Sequence, residues 1–497
     1  MERADILIKN ASVMTMDDDF AIIAPGAIAI QGKTIASVGK SEDVCARYTA
    51  HKVIDASGKV VMPGLIDTYS HAGHGMIKAI YHDQRGWPGG KIYFHATSPQ
   101  WWYAESRLSA LERVRFGVTC GVTVIGGTPA RTDDPAFGIR NADGVIDIGL
   151  RGMVGVGPPD LFVENQGPTE STWWEGDTPE KRTFTYADTI ENTLAVIRQH
   201  HRPDEGMMQV FFAMPYLFGR YPRSAMSRGR KNEPAPIYTE DHIPVLLDKA
   251  EEARSIADGH GVLIHTHMFK STIDNAVRNM GRQKVLEIMG PDVVIAHGNG
   301  LLSSEIAIVS QSDAKVVSAP SMGENVWYGR CPVPELIKAG VTVAVATDGN
   351  GPRVSMDLLS QVFRSLFLNR LDIGDNDIYL PGKALSMITK DAARVIGMED
   401  RIGSLESGKL ADVIIIDLDK PHLIPSAHLP QIIAFYANGN DVDTTIVNGR
   451  ILMEDRVVKC VDEDEVKAEA REEIAKSLER VGGIREYLDI PGNYWTG

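Results

Sequence analysis

Val60-Val61-Met62-Pro63-Gly64-Leu65-Ile66-Asp67-Thr68-Tyr69-Ser70-His71-Ala72-Gly73-His74 is an apolar run that empties into a loop bearing two histidines. The pattern returns downstream. Val262-Leu263-Ile264 leads to His265-Thr266-His267, Val293-Val294-Ile295 leads to Ala296-His297, and Val341–Val345 leads to Ala346-Thr347-Asp348-Gly349. In a β/α barrel the C-terminal ends of the strands share one mouth, so residues far apart in sequence meet there. Neutral imidazoles and a carboxylate are the donors that a catalytic Zn²⁺ or Fe²⁺ takes. Taken singly, a histidine after a strand is more often a satisfied polar group, and Asp348 before a glycine suits a cap or turn. Four such residues at equivalent strand ends resist that explanation, so His71, His267, His297 and Asp348 are the expected metal ligands.

Working outward, residues 63–401 alternate helical spacing with short β-branched strands, the signature of a parallel sheet closed as a (β/α)₈ barrel. Trp102–Phe116, Ile243–Asp258 and Leu358–Asn369 have helical periodicity. Val122–Ile125, Met208–Phe212 and Lys315–Val317 read as strands. Residues 129–190 and 216–240 are rich in Gly, Pro, Asp and Arg, and read as long loops over the barrel mouth. Residues 1–62 and 402–460 share a different texture, short apolar runs punctuated by glycine or by the Asn448-Gly449 turn. They imply one small discontinuous β-sandwich built from both chain ends. Residues 461–497 form a C-terminal helix and tail, acidic first and basic later, a favourable charge order for a helix.

At 497 residues the chain can bury a large core, and 43% hydrophobic with 24% charged residues is ordinary globular composition. A net charge of −15 argues against nucleic acid as a partner. Four scattered cysteines, without a Cys-x-x-Cys pair, suit a reducing compartment. An acidic N-terminus and the lack of a run of roughly 20 apolar residues imply a cytoplasmic protein with no membrane partner. A small-molecule substrate is the expected partner, and homo-oligomerisation is left open.

These segments resemble the amidohydrolase superfamily, in the branch of guanine, S-adenosylhomocysteine and triazine aminohydrolases and chlorohydrolases. Asp55–Thr68 is similar to that family's lead into barrel strand one, and Leu111–Thr119 to its helix into strand two. Ile264–His267 and Ala296-His297 resemble its strand-five and strand-six ligand positions. Pro332–Gly349 resembles its run into strand eight, and Gly403–Asp412 its return to the flanking β unit. The resemblance implies one divalent metal ion per chain, Zn²⁺ or Fe²⁺, and hydrolysis of a C–N bond by metal-activated water. Asp348 would handle the proton and His297 would steady charge on the substrate oxygen.

The departures from the family pattern shape the expectations. Tyr69 stands where the family's His-x-His has its first histidine. A phenol of pKa near 10 is a poor neutral ligand, so Tyr69 is expected to fill space, donate a hydrogen bond and face substrate. His74 and Tyr216 are further expected substrate contacts. Lys270 replaces the glutamate that shuttles protons in the deaminases of this branch, which makes it a candidate acid, base or anion-binding residue. The strand-four region lacks the family's Ala-Pro-His, and Asn350-Gly351-Pro352-Arg353 departs from its usual run. Trp101, Trp102, Trp173, Trp174 and Trp327 could wall a pocket, and Arg220, Arg223, Arg228 and Arg230 could hold a carboxylate. The principal expectation is a hydrolase of an amide, cyclic amide or amidine-like compound. The alternatives are a metal-assisted hydration, elimination or decarboxylation using Lys270, and a binding protein on this scaffold.

Overall fold

A computed structural model of the chain describes residues 1–78, 89–125, 131–159, 167–219, 242–323, 329–349 and 355–482. Eight parallel strands run in chain order: β1 Leu65–Asp67, β2 Val118–Val124, β3 Arg151–Val156, β4 Met208–Ala213, β5 Ile264–Met268, β6 Val293–His297, β7 Lys315–Ser318 and β8 Val343–Val345. Helices fill the intervals, among them Pro99–Arg115, Pro135–Ile148, Tyr186–His200, His242–His260 and Leu358–Ile373. The first of these begins at Ser98, whose side chain accepts from the Trp101 amide, with Pro99 in the first turn.

Alternation along the strands separates two cores. Ile66, Val122, Val124, Met153, Phe211 and Val294 pack inside the barrel. Val154, Val210, Ile264, Ile295 and Val316 join the larger core that includes the surrounding helices. The barrel is closed between β1 and β8 by atoms just past the strand ends. The Asp348 amide donates to the Tyr69 carbonyl at 3.0 Å. Asp67 accepts both the amide and the hydroxyl of Thr347, at 3.1 and 2.8 Å.

Both chain ends supply one nine-stranded sheet, separate from the barrel. The ends meet where Lys59–Pro63 runs antiparallel to Val413–Asp417. Ile6, Ile8, Val13, Ile28, Val61 and Ile415 share its principal core. A buried ion pair ties this sheet to the barrel: Arg151 reaches Asp412 with Nε at 2.9 Å and Nη2 at 2.8 Å. The C-terminal helix, Glu463–Val481, is capped by Asp462 and lies against Pro99–Arg115, with Glu469 taking Arg107 at 2.6 Å.

The structure corrects the reading of 129–190 as a long loop. That stretch contains the helix Pro135–Ile148, strand β3 and a hairpin of Thr169–Glu175 with Thr178–Phe184. Its composition misleads because Asp134 and Pro135 are a helix start, and because β3 uses Gly152 and Gly155 to admit neighbouring side chains. A Cβ on Gly155 would lie 2.3 Å from the Phe211 ring. Strand β5 is also displaced relative to the expected Val262–Ile264. It runs Ile264–Met268, so His265 and His267 lie within the strand. Residues 220–241 lie outside the described residues, and with them most of the second expected loop and the four arginines.

Candidate active site

Tyr69 is fully buried, and its hydroxyl oxygen is the point on which the barrel mouth converges. His71 Nε2 stands 2.6 Å from Tyr69 Oη, His267 Nε2 2.8 Å and His297 Nε2 3.4 Å. Asp348 completes the group, with Oδ1 3.4 Å from His71 Nε2 and Oδ2 3.9 Å from His297 Nε2. The four expected ligands are therefore brought together from β1, β5, β6 and β8. All are at least nine-tenths buried.

The backbone that presents them is strained where it turns. His297, the last residue of β6, has φ +70°, and Asp348, just beyond β8, has φ +61°. Non-glycine residues in that region cost free energy and persist where the surroundings impose them, which is frequent at functional sites. Here Gly298 after His297 and Gly349 after Asp348 relieve the crowding. A Cβ on Gly349 would fall within 1.7 Å of His74 Nδ1. His74 itself stacks on His71, with ring centroids 4.9 Å apart.

Burial dominates the electrostatics. It holds His71 and His297 well below the ordinary histidine value, with neighbouring imidazoles adding to the effect. Those rings are therefore neutral and available as donors. Burial pushes the Asp348 carboxyl up to about 7, although the Gly349 amide and the Tyr69 hydroxyl pull the other way. Its Oδ2 makes no hydrogen bond. Burial and then Asp348 keep the Tyr69 phenol well above its ordinary value, so it carries its proton.

The hydrogen bonds also fix the tautomer of His267. Its Nδ1 is 3.0 Å from the Pro215 carbonyl, which can only accept. In the neutral ring Nδ1 then bears the hydrogen, and Nε2 points a lone pair at Tyr69 Oη. Pro215 was legible only as part of an altered strand-four motif. Its carbonyl turns out to orient a candidate ligand, the role that outer-shell acceptors play around metal-binding histidines.

Other expectations fare unequally. Tyr216 is half-buried at the site, its ring 5.7 Å from that of His267. Lys270, expected as a catalytic group, is exposed and stands outside the buried cluster. Just after it Ser271 adopts the left-handed region, and the Glu305 carboxylate accepts the Ser271 and Ile273 amides. Tyr69, expected to fill space and donate a hydrogen bond, stands at the centre of the cluster. Trp101 and Trp102 are fully buried within the core rather than lining the mouth. Trp173 and Trp174 lie on the hairpin, while Trp327 and Asn350–Arg353 fall outside the described residues.

Two participants carried no assigned role in the sequence reading. His265 stacks on the Tyr69 ring at 4.9 Å and 23°, and Phe269 stacks on His297 at 5.1 Å and 18°. The two-residue spacing of His265 and His267 was the available signal, since it places both on one strand face.

Among the described residues, no three His, Cys, Asp or Glu side chains already stand at ion-enclosing spacing. No helix among them is long and apolar enough to cross a membrane.

The profile of the amidohydrolase family matches residues 60–452. The 5'-deoxyadenosine deaminase of Methanosarcina mazei is 30% identical over 487 residues, spanning 96% of this chain and 99% of that protein. The 5-methylthioadenosine/S-adenosylhomocysteine deaminase of Syntrophobacter fumaroxidans is 27% identical, spanning 94% and 97%. A zinc-bound adenosine deaminase from Xanthomonas campestris has a similar fold, with TM-score 0.78, 19% identity and coverage of 96% and 99%. Zinc-bound atrazine chlorohydrolase from Arthrobacter aurescens is similar at TM-score 0.71 and 19% identity, over 94% of this chain and all of that one.

Proposed function

This chain belongs to the amidohydrolase family, and we propose that it hydrolyses an amidine-like C–N bond of a small molecule at the cluster around Tyr69. The observation that carries this is the approach of His71, His267, His297 and Asp348 to one point at the C-terminal mouth of the barrel. The hydrolytic reading is favoured over hydration, elimination or a mere binding role because the two sequence relatives named above are deaminases. The 6-amino carbon of an adenine ring has the amidine-like bonding in question.

Membership of the family implies a divalent metal. The donor chemistry suits it: imidazoles held neutral by burial, a lone pair on His267 Nε2 aimed inward, and a carboxylate oxygen without a hydrogen bond. His71, His267, His297 and Asp348 would hold one ion, Zn²⁺ or Fe²⁺. When bound, such an ion supplies Lewis acidity and brings the pKa of a water from 15.7 to about 7.

The chain's own groups divide the remaining work. Asp348, buried at the point where the donors converge, takes the proton from the attacking water and returns it to the leaving nitrogen. His297 steadies negative charge at the reacting centre, its ring held by Phe269. Tyr216 and His74 flank the cluster and contact the substrate. Lys270, exposed beyond it, binds an anionic part of the substrate.

The test is ammonia release by Zn²⁺- or Fe²⁺-loaded protein from 5'-deoxyadenosine, other amino-heterocycles and simple and cyclic amides. Release from at least one amidine-like compound, lost in Asp348→Asn, is expected. No release from any of them by loaded protein would overturn the proposal.

A further inference from the structure

We infer that Tyr69 is an internal occupant of the metal position, so that an ion can load only when the phenol yields. The inference rests on the metal assignment above and goes beyond it, because it concerns what the chain does in the ion's place.

Tyrosine and histidine differ first in reach. A phenol extends farther from its Cβ than an imidazole, so a tyrosine at a histidine ligand position carries its oxygen past the donor point into the space between the donors. That is where Tyr69 Oη is found, 2.6, 2.8 and 3.4 Å from three Nε2 atoms. Ions sit about 2.0–2.2 Å from such nitrogens and oxygens, so one point cannot hold both an ion and Oη.

Bonding capacity gives the same answer. His267 spends its Nδ1 hydrogen on the Pro215 carbonyl, leaving one lone pair at Nε2. Tyr69 Oη lies 2.8 Å from His267 Nε2, within bonding distance of that lone pair. A hydroxyl offers one donor and two acceptor sites, so it can satisfy His267 while accepting from His71. An ion would need the same lone pair on His267. The phenol and the ion are therefore alternatives, and the hydrogen bonds of one state are lost on entering the other. With Oη between them, no three of the donors among the described residues stand at ion-enclosing spacing.

The ring is not close-packed all the way behind its stacking partner. Tyr69 is stacked on His265, and His265 lines a cavity of about 10 Å³ with Thr68, Met153, Phe211 and Ile396. Neither Thr68 Oγ1 nor His265 Nε2 makes a hydrogen bond there. This space, about the size of one water, borders the His265 side of the stack.

Zn²⁺ alone is the probe. Its binding to the full-length wild type, Tyr69→Phe and Tyr69→His is measured by equilibrium dialysis and calorimetry. Near-ultraviolet difference spectra report any tyrosinate formed. Phenylalanine keeps the ring and removes only the occupying oxygen, and histidine restores the shorter side chain. Both are expected to bind Zn²⁺ at least about tenfold more tightly than wild type. Zn²⁺ should also raise their melting temperatures more, and no Tyr69-dependent tyrosinate band should appear in the wild type. Weaker or equal binding by Tyr69→Phe would overturn the inference while leaving the metal assignment standing, and a tyrosinate band that it abolishes would make Tyr69 a ligand instead. Failure of all three proteins to bind Zn²⁺ would overturn both.

Discussion

Asp67 grips Thr347 with both carboxylate oxygens, Oδ1 taking the amide at 3.1 Å and Oδ2 the hydroxyl at 2.8 Å. The same Oδ2 lies 3.2 Å from Arg113 Nη2. The first and last barrel strands are thus joined by a buried charge network two residues from Tyr69 on one side and one from Asp348 on the other. Burial outweighs Arg113 and holds the Asp67 carboxyl above its ordinary value, while Asp67 is the carboxylate partner of the buried Arg113. Asp67→Asn leaves Arg113 as a buried charge without its partner. A loss of about 3–5 kcal/mol in denaturant unfolding is expected, with activity falling further than stability alone explains. A loss under 1 kcal/mol would show that the network is dispensable.

Glu105 supports the loop that carries His74. Its Oε1 accepts the Gly75 amide at 3.2 Å and the Ser109 hydroxyl at 2.7 Å, while Oε2 makes no hydrogen bond. Burial raises its carboxyl above the ordinary value. The folded chain therefore holds this proton at pH values where the unfolded chain, with pKa about 4.3, has released it. Native protons exceed unfolded ones across that window, so this group's contribution to stability falls as pH rises through it. Glu105→Gln should flatten that part of the stability–pH curve, by up to about 1.4 kcal/mol per pH unit. An unchanged slope between pH 4 and the folded pKa would refute the assignment.

Lys270 is exposed, so its replacement by alanine should change unfolding free energy by no more than about 0.5 kcal/mol. If it binds an anionic part of the substrate, KM should rise about tenfold with kcat little changed. A collapse of kcat at unchanged KM would instead make Lys270 part of the chemistry.

The fold was legible because its signals are local. Val60–Asp67 and its downstream counterparts are short apolar runs with histidine or aspartate at their ends, and the site inherits that pattern directly. The approach of His71, His267, His297 and Asp348 follows from strand order alone. What escaped was decided by reach and by burial. Tyr69 was read from its pKa as a poor ligand, which says nothing about how far its oxygen extends. Lys270 is picked out by its spacing to His267, which says nothing of burial, and its side chain is exposed outside the buried cluster. The helix Pro135–Ile148 was hidden in a Gly- and Asp-rich stretch, although Asp134-Pro135 marks its start. Arg113 has no assigned role in the sequence, yet it is buried against Asp67.

The central claim is that one ion is held where His71, His267, His297 and Asp348 converge. The most direct test is zinc content by equilibrium dialysis at saturating Zn²⁺, comparing wild type with His267→Ala of unchanged circular dichroism. We predict one ion per wild-type chain and close to none in the variant. Equal zinc in both proteins would contradict the account.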